Sequence, residues 1–562
     1  MSLPGLVAGV TGERLPPGAV EVRCGPVTVA HWGLDPLPGD GRSFVLSKVV
    51  RERSGRVTPE DLAARLREVP DSLADLLPPF AALDGDDDGV LLVADSMGFR
   101  QTYFARNSLS TSALLLQRSG IDETGLAVQS LLGWQIGHRT LGQGVSKLPA
   151  GASARLGAEG VSINAPHAAS EPALTLREAV KLAAGVVRSS LESLLDESPD
   201  AVLQLTGGLD SRLLLSAIPE ARRRGLRAMT LGVEGSGDVE VATRIAERYG
   251  LSHHVHPMPA LDDLAPEEAW GRVLRAAVDL DALSDPVAHA ALSIAEERID
   301  QGVRISGLGG EVARGFYYVG RVHDRSYTFQ DARRLAAWRM FANEAVEQGM
   351  LEPDFAAWAR EVAEQEVYEA LRGGGDEWFR ATDHLYLRHR MQRWAGITDT
   401  AAGGSRTVVN PMLDREFLAI AARLAPGAKA GARFLAAVQM ELDPELGRLP
   451  LEGRAAPAAY ADPSPWHTVG QAVASARRAA GKAAQRFRHS NRAPAGGAAL
   501  AGRVVEHWRT DPNVLTPAAR SSRVQQQWFD DVILGKIRPQ VSSVALVANL
   551  VTVGQSENHK TG

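Results

Sequence analysis

The residues best suited to chemistry lie in LQLTGGLDSR, Leu203–Arg212. An apolar run ends at Leu205, two glycines follow, and a helix is expected to begin near Asp210. Gly207 and Gly208 permit a tight turn and let backbone amides approach an anion closely. The helix start adds oriented N–H groups and a positive dipole end. Thr206 and Ser211 contribute hydroxyls, and Asp210 can hold a magnesium ion bridging phosphates. The GxxxxGK[ST] spacing of a Walker A loop is absent. A second strand, glycine turn and helix is expected at SGLGGEVARGFYY, Ser306–Tyr318.

The first segment resembles the SGGxDS pyrophosphate loop of enzymes that cleave ATP between the α and β phosphates and leave an adenylate. GVEGSGDVEVATRIAERYGLSHHVH, after the next expected strand, is similar to a stretch of the asparagine synthetase family, and Ser306–Tyr318 resembles that family's SGxGxDExxxGY segment. The resemblance implies ATP contacts at Thr206, Gly207, Gly208, Asp210, Ser211, Leu231, Gly232, Val233 and Gly307. It implies magnesium ligation by Asp210 and Glu311, the latter standing where the family has Asp. Val312 replaces the family's following Glu, and Leu308 stands where Glu or Tyr is frequent, which argues against free aspartate as substrate.

Substrate contacts are implied at Gly309 and Gly310. YLRHRMQRWAG and NPMLDREF resemble the lining of the acyl-substrate pocket, with Arg390 and Arg393 one helical step apart and able to face a carboxylate or phosphate. Trp394 is expected in the core, and Asp414 is expected to cap the helix that follows it. The family's late-loop lysine has no lysine counterpart in ELGRLPLEGR, leaving Arg454 there or Lys429 in RLAPGAKAGARF as the catalytic cation. Asp238 and Glu240 suit magnesium or substrate contact and suit a solvated helix start equally. His254 and His256 share a strand face, a spacing that allows metal binding, but with no third ligand a core or interface role is preferred.

The N-terminal half is similar to the same family's glutaminase domain, through FAALDGDDDGVLLVADSMGFRQTYFAR and SLLGWQIGHRTLGQGVSKLPAGASARL. Such a glutaminase uses an N-terminal cysteine, whereas here Met1 is followed by Ser2 and Cys24 lies in an expected strand. A fold retained without that cysteine resembles β-lactam synthetases, carbapenam synthetases and lasso-peptide macrocyclases. The likeness covers residues 75–450.

These residues need scaffolding, and the hydrophobic pattern supplies it. Residues 1–156 read as short extended runs broken by Gly and Pro, an antiparallel β-rich domain. Residues 157–172 read as a connector, and Thr175–Glu197 as a long helix opened by Thr175 and Glu178 in capping-box spacing. From Asp200 strands alternate with helices, which implies a parallel sheet covered on both faces. Residues 325–445 read as mostly helical. The expected architecture is α/β. A degenerate glutaminase-like αββα sandwich of the Ntn type occupies 1–160. A doubly wound ATP-pyrophosphatase domain of the PP-loop, HUP-like kind occupies 173–455, and a helical, basic extension 456–562.

Composition agrees with an enzyme of this kind. The chain has 562 residues, 44% hydrophobic and 23% charged, with net charge -6, which disfavours a nucleic-acid binder. One cysteine excludes a disulfide framework, and no signal peptide or apolar run of about 18 residues is seen, so a cytoplasmic protein is expected. Ala472–Arg503 carries seven cations and no acid, which fits an acidic or carrier partner, a membrane surface or, preferably, a solvated insertion. The expected function is an ATP- and Mg2+-dependent C–N ligase. It adenylates a carboxylate of a small molecule, peptide or glycan for attack by an amine, without its own glutaminase. An intramolecular cyclase of the lasso-peptide or β-lactam type, tRNA thiolation or lysidine formation, and a retired ATP-binding scaffold are the rivals. Oligomeric state is left open.

Overall fold

The computed structural model describes all residues except 1–2, 10–14, 118–119, 166–171, 233–234, 258–260, 298, 300–301, 405, 464–495 and 559–562. The N-terminal part holds two antiparallel sheets. One has six strands, with Gly5–Ala8 and Val27–Trp32 adjacent near its middle, and the other has five, with Ala81–Asp86 and Gly89–Ala94 paired at its centre. Alternation turns one face of each sheet inward, so Leu6, Val29 and Leu109 of the first meet Leu83, Leu92 and Leu156 of the second in one core. On the outer faces, helix Glu123–Leu132 packs on the first sheet through Leu126, and helix Pro59–Glu68 on the second through Leu62 and Leu66. DGDDDG turns tightly between the two central strands. Residues 160–164, expected as connector, form a strand paired with Ser153–Gly157, because Val161 reaches the sandwich core.

The second part is built on a parallel sheet. Its strand order is Ser252–Pro257, Arg227–Gly232, Val202–Gln204, Arg304–Ile305, Val408–Val409. The chain winds outward in one direction through the first three strands and then crosses to the other side. The crevice where the order reverses therefore lies between Val202–Gln204 and Arg304–Ile305, at their carboxyl ends. Helix Leu176–Glu197 starts with the expected reciprocal capping by Thr175 and Glu178 and packs its buried stripe near helices Leu209–Ala217 and Arg433–Leu442. Asp414 caps helix Arg415–Arg423, accepting from Glu416 N and Phe417 N.

Several expectations change. The glycine turn after Ser306 leads only into a 3-10 turn, Gly310–Arg314, because Gly309 and Gly315 bracket it at φ 103° and 64°. The strand carrying His254 and His256 is a sheet edge, so His254 is exposed and His256 half-buried rather than in the core. No cluster of three or more metal-ligating side chains occurs among the described residues. Trp394 is 41% exposed rather than core, and the Arg390 guanidinium covers its ring at 5.1 Å.

The C-terminal helices Gly497–Thr510, Gln526–Ile533 and Val541–Asn558 share one core with helices Pro266–Asp279 and Glu123–Leu132. They therefore clamp the two parts together. Most of the basic stretch lies outside the described residues; of its cations Arg503 is described, and it donates to Leu264 O and Glu506. Among the described residues no helix is long and apolar enough to cross a membrane.

Candidate active site

Both glycine loops leave the sheet beside the strand-order reversal, one after Val202–Gln204 and one after Arg304–Ile305. The first closes on itself. Ser211 Oγ accepts from Thr206 N at 3.0 Å and lies 3.0 Å from Thr206 Oγ1, which accepts from Gly208 N at 3.2 Å. Helix Leu209–Ala217 starts there, so its first amides point into the crevice. Asp238 Oδ1 accepts from Gly207 N at 2.7 Å, so Asp238 shapes the loop, whereas Glu240 is exposed.

The loops can touch only because they lack side chains at the contact. A Cβ on Gly310 would sit 2.4 Å from Asp210 Oδ1, and one on Gly307 3.1 Å from Ser211 N. This approach brings Asp210 beside Glu311. Asp210 Oδ1 and Glu311 Oε2 are buried without any hydrogen-bond partner. Two carboxylates, each with an orphaned buried oxygen beside the first amides of a helix, would fit a magnesium ion. Burial pushes the Asp210 carboxyl up to about 7, Glu311 adding to the rise while Arg314 and Arg454 oppose it.

Arg314 was not among the residues expected from sequence. Its Nη2 lies 3.4 Å from Asp210 Oδ2 and 3.2 Å from Glu311 Oε1. The signal was present in the i, i+3 spacing of Glu311 and Arg314, which one helical turn places side by side.

The structure separates the two candidates for the late cation. Glu452 N donates to Gly207 O at 3.1 Å, which seats the segment Leu449–Arg454 on the first loop and sets Arg454 within electrostatic reach of Asp210. Lys429 is buried elsewhere, paired with Asp383, which also accepts from Tyr318 Oη at 2.7 Å. Arg212, wholly buried, holds the segment from beneath, donating Nη1 to Leu449 O at 2.5 Å and Nη2 to Pro450 O at 2.9 Å.

Leu231 and Gly232 end the second strand half-buried, and a Cβ on Gly232 would sit 2.8 Å from Val239 Cγ2; Val233 lies outside the described residues. Gly309 takes φ 103° against Met412 and Leu413, a position for glycine. Arg390 and Arg393 diverge, since Leu385–Ala395 forms a π-helix rather than the α-helix assumed. Arg390 lies 3.9 Å from Glu344 and over Trp134, Phe316 and Trp394. Arg393, 2% exposed, donates to Arg139 O in the N-terminal part. Phe316 stacks on Tyr386 at 4.4 Å, and Tyr386 senses the Glu311 charge, so Arg390 stands behind an aromatic wall facing the carboxylates.

No curated protein matches the chain. Residues 184–433, which span both loops and all five strands of the parallel sheet, match the asparagine synthase family model, and this supports an asparagine-synthetase-like, ATP-dependent, amide-forming ligase.

Proposed function

We propose that the chain adenylates a substrate carboxylate at the Asp210–Glu311 crevice and passes the acyl group to an amine, releasing AMP and pyrophosphate. The observation that carries this reading is the pair of orphaned carboxylate oxygens against the amides of the first glycine loop. Asp210 and Glu311 would hold Mg2+, which supplies charge neutralisation at the phosphates. The protein's own part is positional. The helix-start amides with Thr206 and Ser211 orient the α-phosphate, and Arg454 and Arg314 bring cationic charge to the departing side.

Leu308 and the buried Val312 offer the acyl side no polar contact, which favours a specialised metabolite, peptide or glycan over free aspartate. The N-terminal part is read as a glutaminase-like αββα domain without glutaminase activity: the one cysteine of this sequence, Cys24, is buried between the two sheets, and burial pushes its thiol pKa up. Domain limits near 160, 173 and 455, and a docking role for the 472–503 stretch, belong to the same reading.

The test is AMP and pyrophosphate release from Mg·ATP with pooled carboxylates and amines, run with Asp210→Ala. Turnover in the wild type that the variant loses, with the fold intact by circular dichroism, is expected. Equal turnover in both would remove Asp210 from the site. Nucleotide binding with no AMP from any pool would favour a retired scaffold.

A further inference from the structure

The carboxylate pair that fits a metal already faces a cation. One nitrogen of Arg314 reaches an oxygen of each carboxylate, at 3.4 Å and 3.2 Å, and leaves the other oxygen of each without a partner. We propose that Arg314 is a resident cation that keeps a divalent metal out of the Asp210–Glu311 pair until nucleotide arrives. The inference rests on the assignment of a nucleotide site to this crevice.

Charge and geometry both disfavour a metal entering alone. When both are ionised, the carboxylates carry two negative charges, and the guanidinium cancels one. A divalent ion entering beside it meets a half-neutralised pair, with two of the four oxygens already engaged and a like charge within contact range. Magnesium gives up its water reluctantly and needs several anionic oxygens to do so. A triphosphate changes both terms. It brings its own oxygens to the ion, and it offers the planar fork of arginine a bidentate partner better than a single nitrogen shared between two carboxylates. Arg314 then turns to phosphate, Asp210 Oδ2 and Glu311 Oε1 are freed, and metal and nucleotide enter together. A purely structural ion pair would alter stability without making metal binding depend on nucleotide.

The experiment measures free Mn2+ by electron paramagnetic resonance in titrations of the full chain, with and without α,β-methylene-ATP, whose α–β linkage cannot be cleaved, each read against a protein-free titration that fixes the Mn2+ the analogue itself chelates. Wild type is expected to bind Mn2+ at least about tenfold more weakly without the analogue than with it. Arg314→Met is expected to gain at least about tenfold in Mn2+ affinity without the analogue and to lie within about threefold of wild type with it. Asp210→Asn should remove the gain and so locate the ion. Arg314→Lys, a charge without a fork, should stay close to wild type without the analogue.

Equal Mn2+ affinity of wild type and Arg314→Met without nucleotide overturns the proposal. So does wild type that binds Mn2+ equally well with and without the analogue, a comparison that needs no substitution. Analogue binding followed separately by calorimetry distinguishes the two failures. No binding refutes the nucleotide site itself, whereas binding with metal entering first refutes only the role of Arg314.

Discussion

Arg212 is expected to act on nucleotide binding through a segment more than 200 residues away, and the structure sets the size of the effect. Its guanidinium, completely buried, donates to Leu449 O and Pro450 O, and the same segment places Glu452 on Gly207 and Arg454 near Asp210. Arg212→Met preserves the length and apolar stem and deletes both donors. Hydrogen bonds from a charged donor contribute about 1.5–3 kcal/mol each. Against this stands the desolvation of the guanidinium, which burial has already pulled down to a pKa of about 10. A net loss of about 2–3 kcal/mol in seating the segment corresponds to a factor of roughly 30–150. Arg454→Ala removes the charge that the segment delivers, and about 1.5–3 kcal/mol, or 10- to 150-fold, is the expected cost in affinity for Mg·α,β-methylene-ATP. If Arg212 acts by positioning Arg454, the double variant binds within about threefold of the weaker single variant, because the second change removes nothing further. Calorimetric titration of the four proteins, with thermal melts to confirm that each is folded, makes the comparison. Single effects that multiply in the double variant, or Arg212→Met binding like wild type, would exclude positioning of Arg454 by Arg212.

Two further predictions separate structure from chemistry. Lys429→Met strands the Asp383 carboxylate in a largely buried pocket and should destabilise the fold by about 3–5 kcal/mol, measured by urea unfolding, while Mg·α,β-methylene-ATP affinity stays within twofold. A large loss of affinity in a folded Lys429→Met protein would return Lys429 to the candidate site. His389, whose Nδ1 accepts from Gly137 N at 3.2 Å across the two parts, is lowered by burial, with His384 adding, to a pKa of about 3 from 6.5. The unfolded chain thus binds a proton that the folded chain refuses, so this contribution is complete above pH 6.5 and is lost as pH falls toward 3. Between pH 8 and 5 that amounts to about 2 kcal/mol. His389→Gln, which keeps the acceptor, should therefore lose about 2 kcal/mol less than wild type between pH 8 and pH 5 in urea titrations; parallel losses would exclude His389 as the cause.

Four strands of the parallel sheet and the first glycine loop were legible from the chain alone, whereas the fifth strand, Val408–Val409, lies in the stretch expected to be mostly helical. Those four strands are short and each is followed by its own turn or helix signal, and Thr206–Ser211 is one contiguous segment whose loop geometry is set locally. The capping of Thr175 by Glu178 and of the helix after Asp414 was legible for the same reason, since the partners lie within three residues.

What tertiary structure alone decided concerns partners far apart in sequence. Arg454 and Lys429 are equally cationic, and only the seating of Glu452 on Gly207 and the pairing of Lys429 with Asp383 tell them apart. The π-helical turn from Leu385 sent Arg393 into the N-terminal part, because helical spacing assigns a common face only while the pitch is that of an α-helix. Arg314 beside Glu311 was readable as spacing, but its reach to Asp210 depends on Gly310 bringing two loops together from opposite sides of the strand-order reversal. Local hydrogen bonding and hydrophobic period are written residue by residue, so they determine elements and loops. The sign and number of charges gathered in the crevice depend on which loops the packed sheet brings into contact, and that is set by the whole fold.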